Sequence, residues 1–305
     1  MQKAFLNSLY DLAEKDENVL LLSADNGTEF DKWFKSDLPK QYLEFGIAEC
    51  NMLAASAGMA VCGKIPFVHT AGAFLAYRAY EFIRNDVCFQ NVNVKIIGFG
   101  SGLSNSTLGP SHHTTEDINV LRSLPNLTVF SPCCPSETEE AVKAAYSVEG
   151  PVYIRIGLCG EPEIEYESSG FSLGENKTVL SGTDVAVFST GSIITEVLAA
   201  ADLLEDSGIS VNLINVNTIK PFDKKNIVET ATKIRKFVTV EEHNVIGGLG
   251  SLVADVIVEE QLNVKLLKIG LKDSFAKGYG TQQDLQKVNG LDRVGIFDSI
   301  TNQMK

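Results

Sequence analysis

Short apolar runs alternate with helical patterns along nearly the whole 305-residue chain, and this alternation is what most limits its fold. Runs rich in Val, Ile and Leu are typical of buried strands, whereas longer segments with a 3.6-residue period are typical of helices. A strand, a helix and a second strand in succession form the unit from which parallel sheets are built. The sequence therefore predicts the α/β fold class.

The first half of the chain opens with a predicted helix that leads into the first predicted strand. Strands are predicted at 19–23, 65–69, 94–99, 127–131 and 152–156, and the intervening helices lie near 47–61, 73–88, 115–123 and 136–148. We expect the helix at 136–148 to begin with a capping box formed by Ser136 and Glu139, and to end before Gly150 and Pro151.

A change in composition predicts where one domain ends and the next begins. Regular periodicity is lost between Cys159 and Gly182, and Gly, Ser and Glu accumulate there, as is typical of a connecting segment. The strand and helix alternation then restarts, with strands at 184–190, 209–216, 237–242 and 264–270 and helices near 192–206, 223–233 and 250–260. We predict a first domain over 1–165, a linker over 166–182 and a second, smaller α/β domain over 183–305.

Charge and hydropathy exclude several classes of function. Acidic residues outnumber basic ones by 39 to 26, giving a formal net charge of −13, and such a chain repels nucleic-acid phosphates. No apolar run approaches the roughly 20 residues that a membrane-spanning helix needs. The first residues also lack the apolar core of an export signal. We expect no nucleic-acid partner, no membrane partner and a cytoplasmic location.

The six cysteines do not indicate a metal or redox site. They contain no C-x-x-C pair and no histidine at zinc-finger spacing. We expect them to be free, buried thiols in a reducing compartment, and we predict no metal ligands in this chain. The cysteines are Cys50, Cys62, Cys88, Cys133, Cys134 and Cys159.

Two places in the first half carry polar groups where a ligand site is expected. Glu49 begins an apolar, Ala-rich helix, where a carboxylate is also favoured by the helix dipole alone. The Gly- and Ser-rich loop 98–117 follows an apolar strand, and ligands of open α/β sheets bind at the carboxyl ends of strands. This loop contains His112 and His113, which as sequence neighbours are poorly arranged for one metal ion. A polar contact to a substrate and an incidental histidine near a helix start are both open interpretations.

Arg155 is the third notable residue, because it is a lone cation within the apolar strand 152–156. A buried charge is costly unless it is paired. Its partner is therefore either a structural carboxylate or an anionic ligand, and the pattern does not choose between them. Composition and spacing indicate an enzyme-like α/β chain with a polar loop at a strand end, and they name no reaction.

Five blocks in order make the chain resemble the C-terminal half of transketolase over essentially its full length. They are YLEFGIAECNMLAASAGMA, HTAGAFLAYRAYEFIRNDV, PSHHTTEDINVLRSLPNLTVFSPCCPSETEEAVKAA, GPVYIRIG and STGSIITEVLAAADLL. The resemblance implies a pyrimidine-binding domain of a thiamine diphosphate enzyme, with a parallel sheet flanked by helices, followed by the transketolase C-terminal domain. Some enzymes of this kind are divided into two polypeptides, and the chain has the length of the second one.

The resemblance assigns expected roles around the cofactor. Glu49 matches the carboxyl group that hydrogen-bonds the cofactor pyrimidine and favours the tautomer that removes the thiazolium proton. Phe74 matches the aromatic residue that stacks on the aminopyrimidine. Tyr77, three residues later, is expected on the same helix face. Asp25 matches a segment close to the cofactor at the dimer interface.

The same resemblance assigns substrate contacts, and it also shows departures. His112 matches a histidine of the substrate channel, His113 is its alternative, and Arg155 matches an arginine that binds the sugar phosphate. Gly100 and Leu108 stand where transketolases usually carry a histidine and an aspartate that recognise donor hydroxyls. A site without those groups discriminates poorly for the usual ketose. We therefore expect two-carbon ketol transfer between sugar substrates, either phosphorylated or nucleotide-linked.

An expected assembly follows from a motif that the sequence lacks. The family holds the diphosphate and Mg²⁺ with a G-D-G motif on a separate N-terminal domain, and this sequence contains no G-D-G. Magnesium needs oxygen ligands around the diphosphate. We expect an N-terminal transketolase-type subunit to supply that site in an α2β2 assembly, and the second domain of this chain to serve in interface packing.

Two other interpretations share the same pair of domains. One is a decarboxylating enzyme that resembles deoxyxylulose-phosphate synthase or the E1 β chain of a 2-oxoacid dehydrogenase. Release of carbon dioxide from pyruvate distinguishes it from a ketol transferase. The other is a non-catalytic orphan subunit, and Glu49 and Phe74 argue against it because a scaffold needs neither residue.

Overall fold

The computed structural model describes residues 1–26, 31–158, 160–165 and 171–304. Cys159 and residues 166–170 of the predicted linker lie outside this part of the chain. In the first half the helices are α1 (Gln2–Ala13), α2 (Asp31–Asp37), α3 (Glu49–Val61), α4 (Tyr80–Phe82), α5 (Asp117–Arg122) and α6 (Pro135–Ser147). The strands are β1 (Val19–Ser23), β2 (Tyr42–Glu44), β3 (Ile65–Ala71), β4 (Lys95–Phe99), β5 (Thr128–Phe130) and β6 (Val152–Ile156).

The second half repeats the alternation of strands and helices. Its strands are β7 (Lys177–Leu180), β8 (Val185–Thr190), β9 (Val211–Asn215), β10 (Thr218–Lys220), β11 (Lys236–Asn244) and β12 (Lys265–Leu271). Its helices are α7 (Ile194–Asp206), α8 (Lys224–Lys233), α9 (Leu249–Glu259), α10 (Gln282–Val288) and α11 (Arg293–Met304). The predicted α/β class is therefore confirmed, with two mostly parallel sheets.

The strands of the described residues form two sheets. The first has seven strands in the order β10-β5-β6-β4-β3-β1-β2, and the second has five in the order β12-β11-β8-β9-β7. Pairing is parallel except at β10 and β7, which are antiparallel strands at one edge of each sheet. Because β1, β3 and β4 are parallel neighbours, their carboxyl ends meet at one edge of the first sheet.

Helices cover both faces of the first sheet. On one face α1 packs with α6 over a core that includes Phe5, Phe67 and Phe130. On the other face α3 and the segment 74–88 pack over Val68 and Ile96 in a core that continues into the second sheet. This burial on both sides explains why the parallel strands are continuous apolar runs.

The structure corrects several details of the sequence prediction. Helix α6 begins at Pro135, with Cys134 before it and no side-chain cap, so the predicted capping box of Ser136 and Glu139 is wrong. Ser136 instead donates its Oγ hydrogen to Glu163, 2.6 Å away. Proline at the first helical position favours this earlier start, because its missing N–H has no partner to lose there.

The helix predicted at 73–88 consists of two wide π-helical segments, Phe74–Arg78 and Ile83–Cys88, with α4 between them. Strand β7 lies within the predicted linker 166–182, and it pairs with β9 of the second sheet. The domain bounds drawn from the sequence remain a prediction.

The described cysteines are free, but they are not all buried. Cys88, Cys133 and Cys134 are buried, whereas Cys50 is half-buried and Cys62 is exposed. The expectation of uniformly buried thiols is therefore wrong for Cys62, which lies at the exposed end of α3.

Candidate active site

A cavity of about 440 Å³ lies at the carboxyl ends of β1, β3 and β4. This is the edge where ligands of open α/β sheets bind. Its lining combines the segments that follow these three strands with the beginning of α3 and the π-helical segment after β3. The lining residues are Ala24, Asp25, Asn26, Ile47, Glu49, Thr70, Ala71, Phe74, Arg78, Phe99, Asn105, Leu108 and His112.

Glu49 is the buried carboxylate of the cavity. It is the first residue of α3 and is 4% exposed. The helix N-terminus favours a negative charge at this position. Nη1 of Arg78 lies 3.3 Å from its Oε2. A buried carboxylate in an open cavity is suited to accept a hydrogen bond from an N–H or O–H group of a bound ligand.

Phe74 supplies the aromatic surface of the cavity. The guanidinium carbon of Arg78 lies 5.1 Å from the centre of its ring, and the His112 ring meets it edge-on with centres 5.0 Å apart. Arg78 therefore contacts both Glu49 and Phe74. The π-helical turn explains this placement, since Arg78 follows Phe74 by four residues in the segment Phe74–Arg78.

Asp25 and Asn26 follow β1 and form another wall. Asp25 has a φ of 51°, a conformation that aspartate tolerates better than most residues, and its N–H donates to Glu44, 2.8 Å away. Nδ2 of Asn26 lies 2.7 Å from Nδ1 of His69 and also donates to the His69 carbonyl. Burial lowers the pKa of His69 to about 4, although Asp31 and Glu44 act in the opposite direction.

The two histidines of the loop occupy different environments. His112 lines the cavity, and its Nδ1 lies 3.0 Å from Oγ of Ser111. His113 is 5% exposed and lies outside the cavity lining, and neither of its ring nitrogens has a hydrogen-bond partner. Burial lowers the pKa of His113, so this imidazole is held in its neutral form. Of the two, His112 is the one placed to meet a ligand.

Tyr77 does not join Phe74 at the cavity. Its hydroxyl donates to Oε2 of Glu116 at 2.8 Å and accepts the Glu116 N–H at 2.9 Å. Burial and the nearby carboxylates of Asp117 and Glu116 raise the pKa of Tyr77, which keeps this hydroxyl protonated. The expectation that Tyr77 shares the face of Phe74 is wrong, because the π-helical geometry changes the spacing on which it rested.

Arg155 has the structural carboxylate partner that the sequence left open. Its Nε lies 3.0 Å from Oδ2 of Asp117, and its Nη2 donates to the carbonyls of Thr114 and Glu242. Tyr153 donates its hydroxyl hydrogen to the same Asp117 carboxylate. The side chain is buried outside the cavity lining, where it joins β6 to the second half of the chain.

Two cavity residues carry no clear signal in the sequence. Arg78 is detectable there only as a cation four residues after Phe74. Asn105 lies within the polar loop 98–117, where the histidines give the stronger signal. Among the described residues, no group of three or more His, Cys, Asp or Glu side chains is arranged to hold a metal ion. Within the same ranges, no helix is both long and apolar enough to cross a membrane.

Two family models match the chain. The transketolase pyrimidine binding domain matches residues 1–157, and the transketolase C-terminal domain matches residues 174–296. These matches place the cavity within the pyrimidine-binding domain.

Individual relatives agree with these models. A protein of Methanocaldococcus jannaschii named as a transketolase C-terminal section is 36% identical over 309 residues, covering 100% of this chain and 96% of the relative. One of the subunits of the apulose-4-phosphate transketolase of Phocaeicola vulgatus is 33% identical over 298 residues, covering 97% of this chain and 94% of that protein.

A solved structure extends the agreement to the fold. A split gene transketolase, described as an inactive beta4 tetramer, superposes with a TM-score of 0.90 at 36% identity, covering 99% of this chain and 97% of that one. The resemblance expected from the sequence blocks is confirmed. The chain belongs to the transketolase family and corresponds to its C-terminal section, with a pyrimidine-binding domain followed by a C-terminal domain.

Proposed function

We propose that this chain is the pyrimidine-binding subunit of a split, thiamine diphosphate-dependent transketolase that transfers a two-carbon ketol unit between sugar phosphates. The observation that carries the proposal is the buried carboxylate of Glu49 in one cavity with the ring of Phe74. That pair offers a hydrogen-bonding group and a stacking surface to a flat, nitrogen-containing ring.

The residues present fit the aminopyrimidine half of thiamine diphosphate. Arg78 lies over Phe74, but its side chain is 54% exposed and it meets Glu49 through a single 3.3 Å contact. The pair joins an exposed guanidinium to a buried carboxylate, and a ligand that hydrogen-bonds Glu49 replaces the contact that it displaces. When bound, the cofactor supplies the carbon nucleophile and electron sink for cleaving the bond beside a ketose carbonyl.

This chain's own residues have distinct proposed tasks. The Glu49 carboxyl group makes a hydrogen bond to the pyrimidine ring nitrogen, and Phe74 orients the ring by stacking. Asp25 borders the cofactor from the end of β1. His112 contacts the sugar, because it is the loop histidine that lines the cavity. Arg155 is assigned to structural pairing, since its Nε pairs with Asp117 and its Nη2 donates to two backbone carbonyls.

A partner chain completes the proposed enzyme. We propose that the diphosphate and Mg²⁺ are held by an N-terminal transketolase-type subunit, and that two copies of each chain form an α2β2 assembly. The sequence lacks a G-D-G motif. The similarity to a protein that is named as one of the subunits of a transketolase supports a divided enzyme. The exposed hydrophobic side chains of Ile47 and Leu108 at the cavity suit a surface that a second chain covers.

The decisive experiment measures thiamine diphosphate binding in Mg²⁺ by this chain alone and after co-expression with a candidate N-terminal subunit. We expect tight binding and turnover of ketose phosphates only in the mixture. Tight binding by this chain alone would contradict the divided site. Release of carbon dioxide from pyruvate without ketose cleavage would favour the decarboxylating synthase.

A further inference from the structure

Asn105 is a buried amide in the cavity with unused hydrogen-bonding capacity. It follows β4, lines the cavity and is 7% exposed. Its Nδ2 is shielded from solvent and has no hydrogen-bond partner. Its backbone carbonyl accepts the Leu108 N–H at 3.0 Å, which begins the short 3-10 turn Ser106–Leu108. The backbone carbonyl is therefore satisfied, whereas the side-chain N–H groups lack an acceptor.

Gly100 creates the space that the Asn105 side chain fills. A Cβ atom at Gly100 would clash with Nδ2 of Asn105 and would lie 2.8 Å from its Cγ. Gly100 also has a φ of 74°, in the left-handed region that favours glycine. A side chain at position 100 and the observed position of Asn105 therefore exclude each other.

A buried amide hydrogen without an acceptor is unfavourable for folding, and such groups in native proteins require an explanation. Asn105 lines the cavity that also contains Glu49 and His112, and its Nδ2 is buried in that wall. A ligand with an oxygen atom at this point would supply the acceptor that the protein does not. Sugar substrates carry hydroxyl oxygens along their whole length.

We infer that Asn105 is a specificity-determining residue whose amide donates a hydrogen bond to a hydroxyl oxygen of the sugar substrate. The inference rests on the proposed function, because it needs a sugar in this cavity. The absence of a side chain at Gly100 then contributes to the same recognition, since it leaves the space in which Asn105 lies when it binds the substrate.

The test compares Asn105→Leu with the wild-type chain in the thiamine diphosphate-loaded assembly. Leucine is close to asparagine in size and removes an amide that has no partner, so we expect an unchanged or higher melting temperature. We expect unchanged cofactor affinity and a fall in kcat/KM of about 10- to 100-fold, the range of one lost hydrogen bond in a buried site. A structural role would instead lower the melting temperature.

Asn93→Leu is the matched control. Asn93 also has a buried, unpartnered side-chain atom, but it precedes β4 at the opposite end of the strand and lies outside the cavity lining. We expect this variant to keep the wild-type kcat/KM. An equal loss of kcat/KM in both variants would overturn the inference.

Analogues of the accepted ketose phosphate that each lack one hydroxyl identify the contact. Fructose 6-phosphate, xylulose 5-phosphate and apulose 4-phosphate are the parent substrates to screen. Wild type should discriminate against one analogue, and Asn105→Leu should turn over that analogue and its parent equally. The same discrimination in both proteins would refute the role of Asn105 alone. An assembly that binds cofactor but turns over no ketose would refute the proposed function, and the inference with it.

Discussion

Nη1 of Arg78 lies 3.3 Å from Oε2 of Glu49, and the same guanidinium lies over the ring of Phe74. One exposed cation thus contacts both groups that we assign to the cofactor ring. In the chain without a ligand, this contact pairs the buried Glu49 carboxylate with a cation. A ring bound between Glu49 and Phe74 would displace the Arg78 guanidinium.

Replacing Arg78 tests this relationship. We expect Arg78→Ala to tighten thiamine diphosphate binding by the assembly by a few-fold, because the bound ring no longer has to displace the guanidinium from Glu49. Titration calorimetry of the assembled subunits measures the change. Arg84→Ala, an exposed arginine in the next π-helical segment, is the control and should leave the affinity unchanged. A large loss of affinity in Arg78→Ala would show that the arginine binds the cofactor.

Glu49→Gln tests the carboxylate itself. We expect turnover to fall by about 100-fold or more, since losing one preorganised stabilising group costs about 3 kcal/mol of the activation barrier. Steady-state kinetics of the assembly measures this effect, and the melting temperature checks folding. Glu81→Gln changes an exposed glutamate of α4 and should retain full activity. Normal turnover in Glu49→Gln would rule out the role proposed for Glu49.

The buried pair of Asp117 and Arg155 is predicted to be structural. Asp117→Ala leaves the Arg155 guanidinium buried without its carboxylate, which costs about 3–5 kcal/mol of unfolding free energy. Glu259→Ala breaks the exposed pair with Lys224 and should change stability much less. Urea denaturation compares the two variants. Equal effects would mean that Arg155 does not depend on Asp117.

The lowered pKa of His69 predicts that the folded protein loses stability in acid. Burial lowers its pKa from 6.5 to about 4, so the folded state binds a proton less readily than the unfolded state. The stability that depends on the neutral form of His69 is complete above pH 6.5 and is lost as the pH falls toward 4. The loss in the free energy of unfolding is about 3 kcal/mol, at 1.36 kcal/mol per pKa unit.

His69→Gln should make stability less dependent on pH over that range, because the amide does not titrate. Melting temperatures at pH 7 and pH 5 measure the difference between the variant and the wild-type chain. The surrounding carboxylates of Asp31 and Glu44 are unchanged in both proteins. Parallel decreases in the two melting temperatures would assign the acid sensitivity to other groups.

The sequence predicted the strands that position the cavity because they are continuous apolar runs, whose burial on two faces leaves a clear pattern. It did not predict β2, β7 or β10, which are short edge strands defined by pairing and not by composition. Tyr77 was misplaced because a π-helical segment changes which residues share a face.

Site residues were predictable from the sequence where the residue type itself indicates the role. They were less predictable where the role depends on contacts with residues that are distant in the sequence. Glu49, Phe74, Asp25 and His112 do line one cavity. Arg155 had two interpretations until Asp117, 38 positions earlier in the chain, proved to be its partner. Asn105 became notable only when the space beside Gly100 and its unpaired amide were seen together.

Strand β10 joins the two halves of the chain within one sheet. It comes from the second half, yet it pairs with β5 at the edge of the first sheet. A chain cut between the domains would leave β5 with a row of open N–H and C=O groups, and such edges pair with other molecules. The first domain is therefore not a separable module. Attempts to express it alone are expected to give aggregates, whereas the two domains expressed as one polypeptide are expected to fold together.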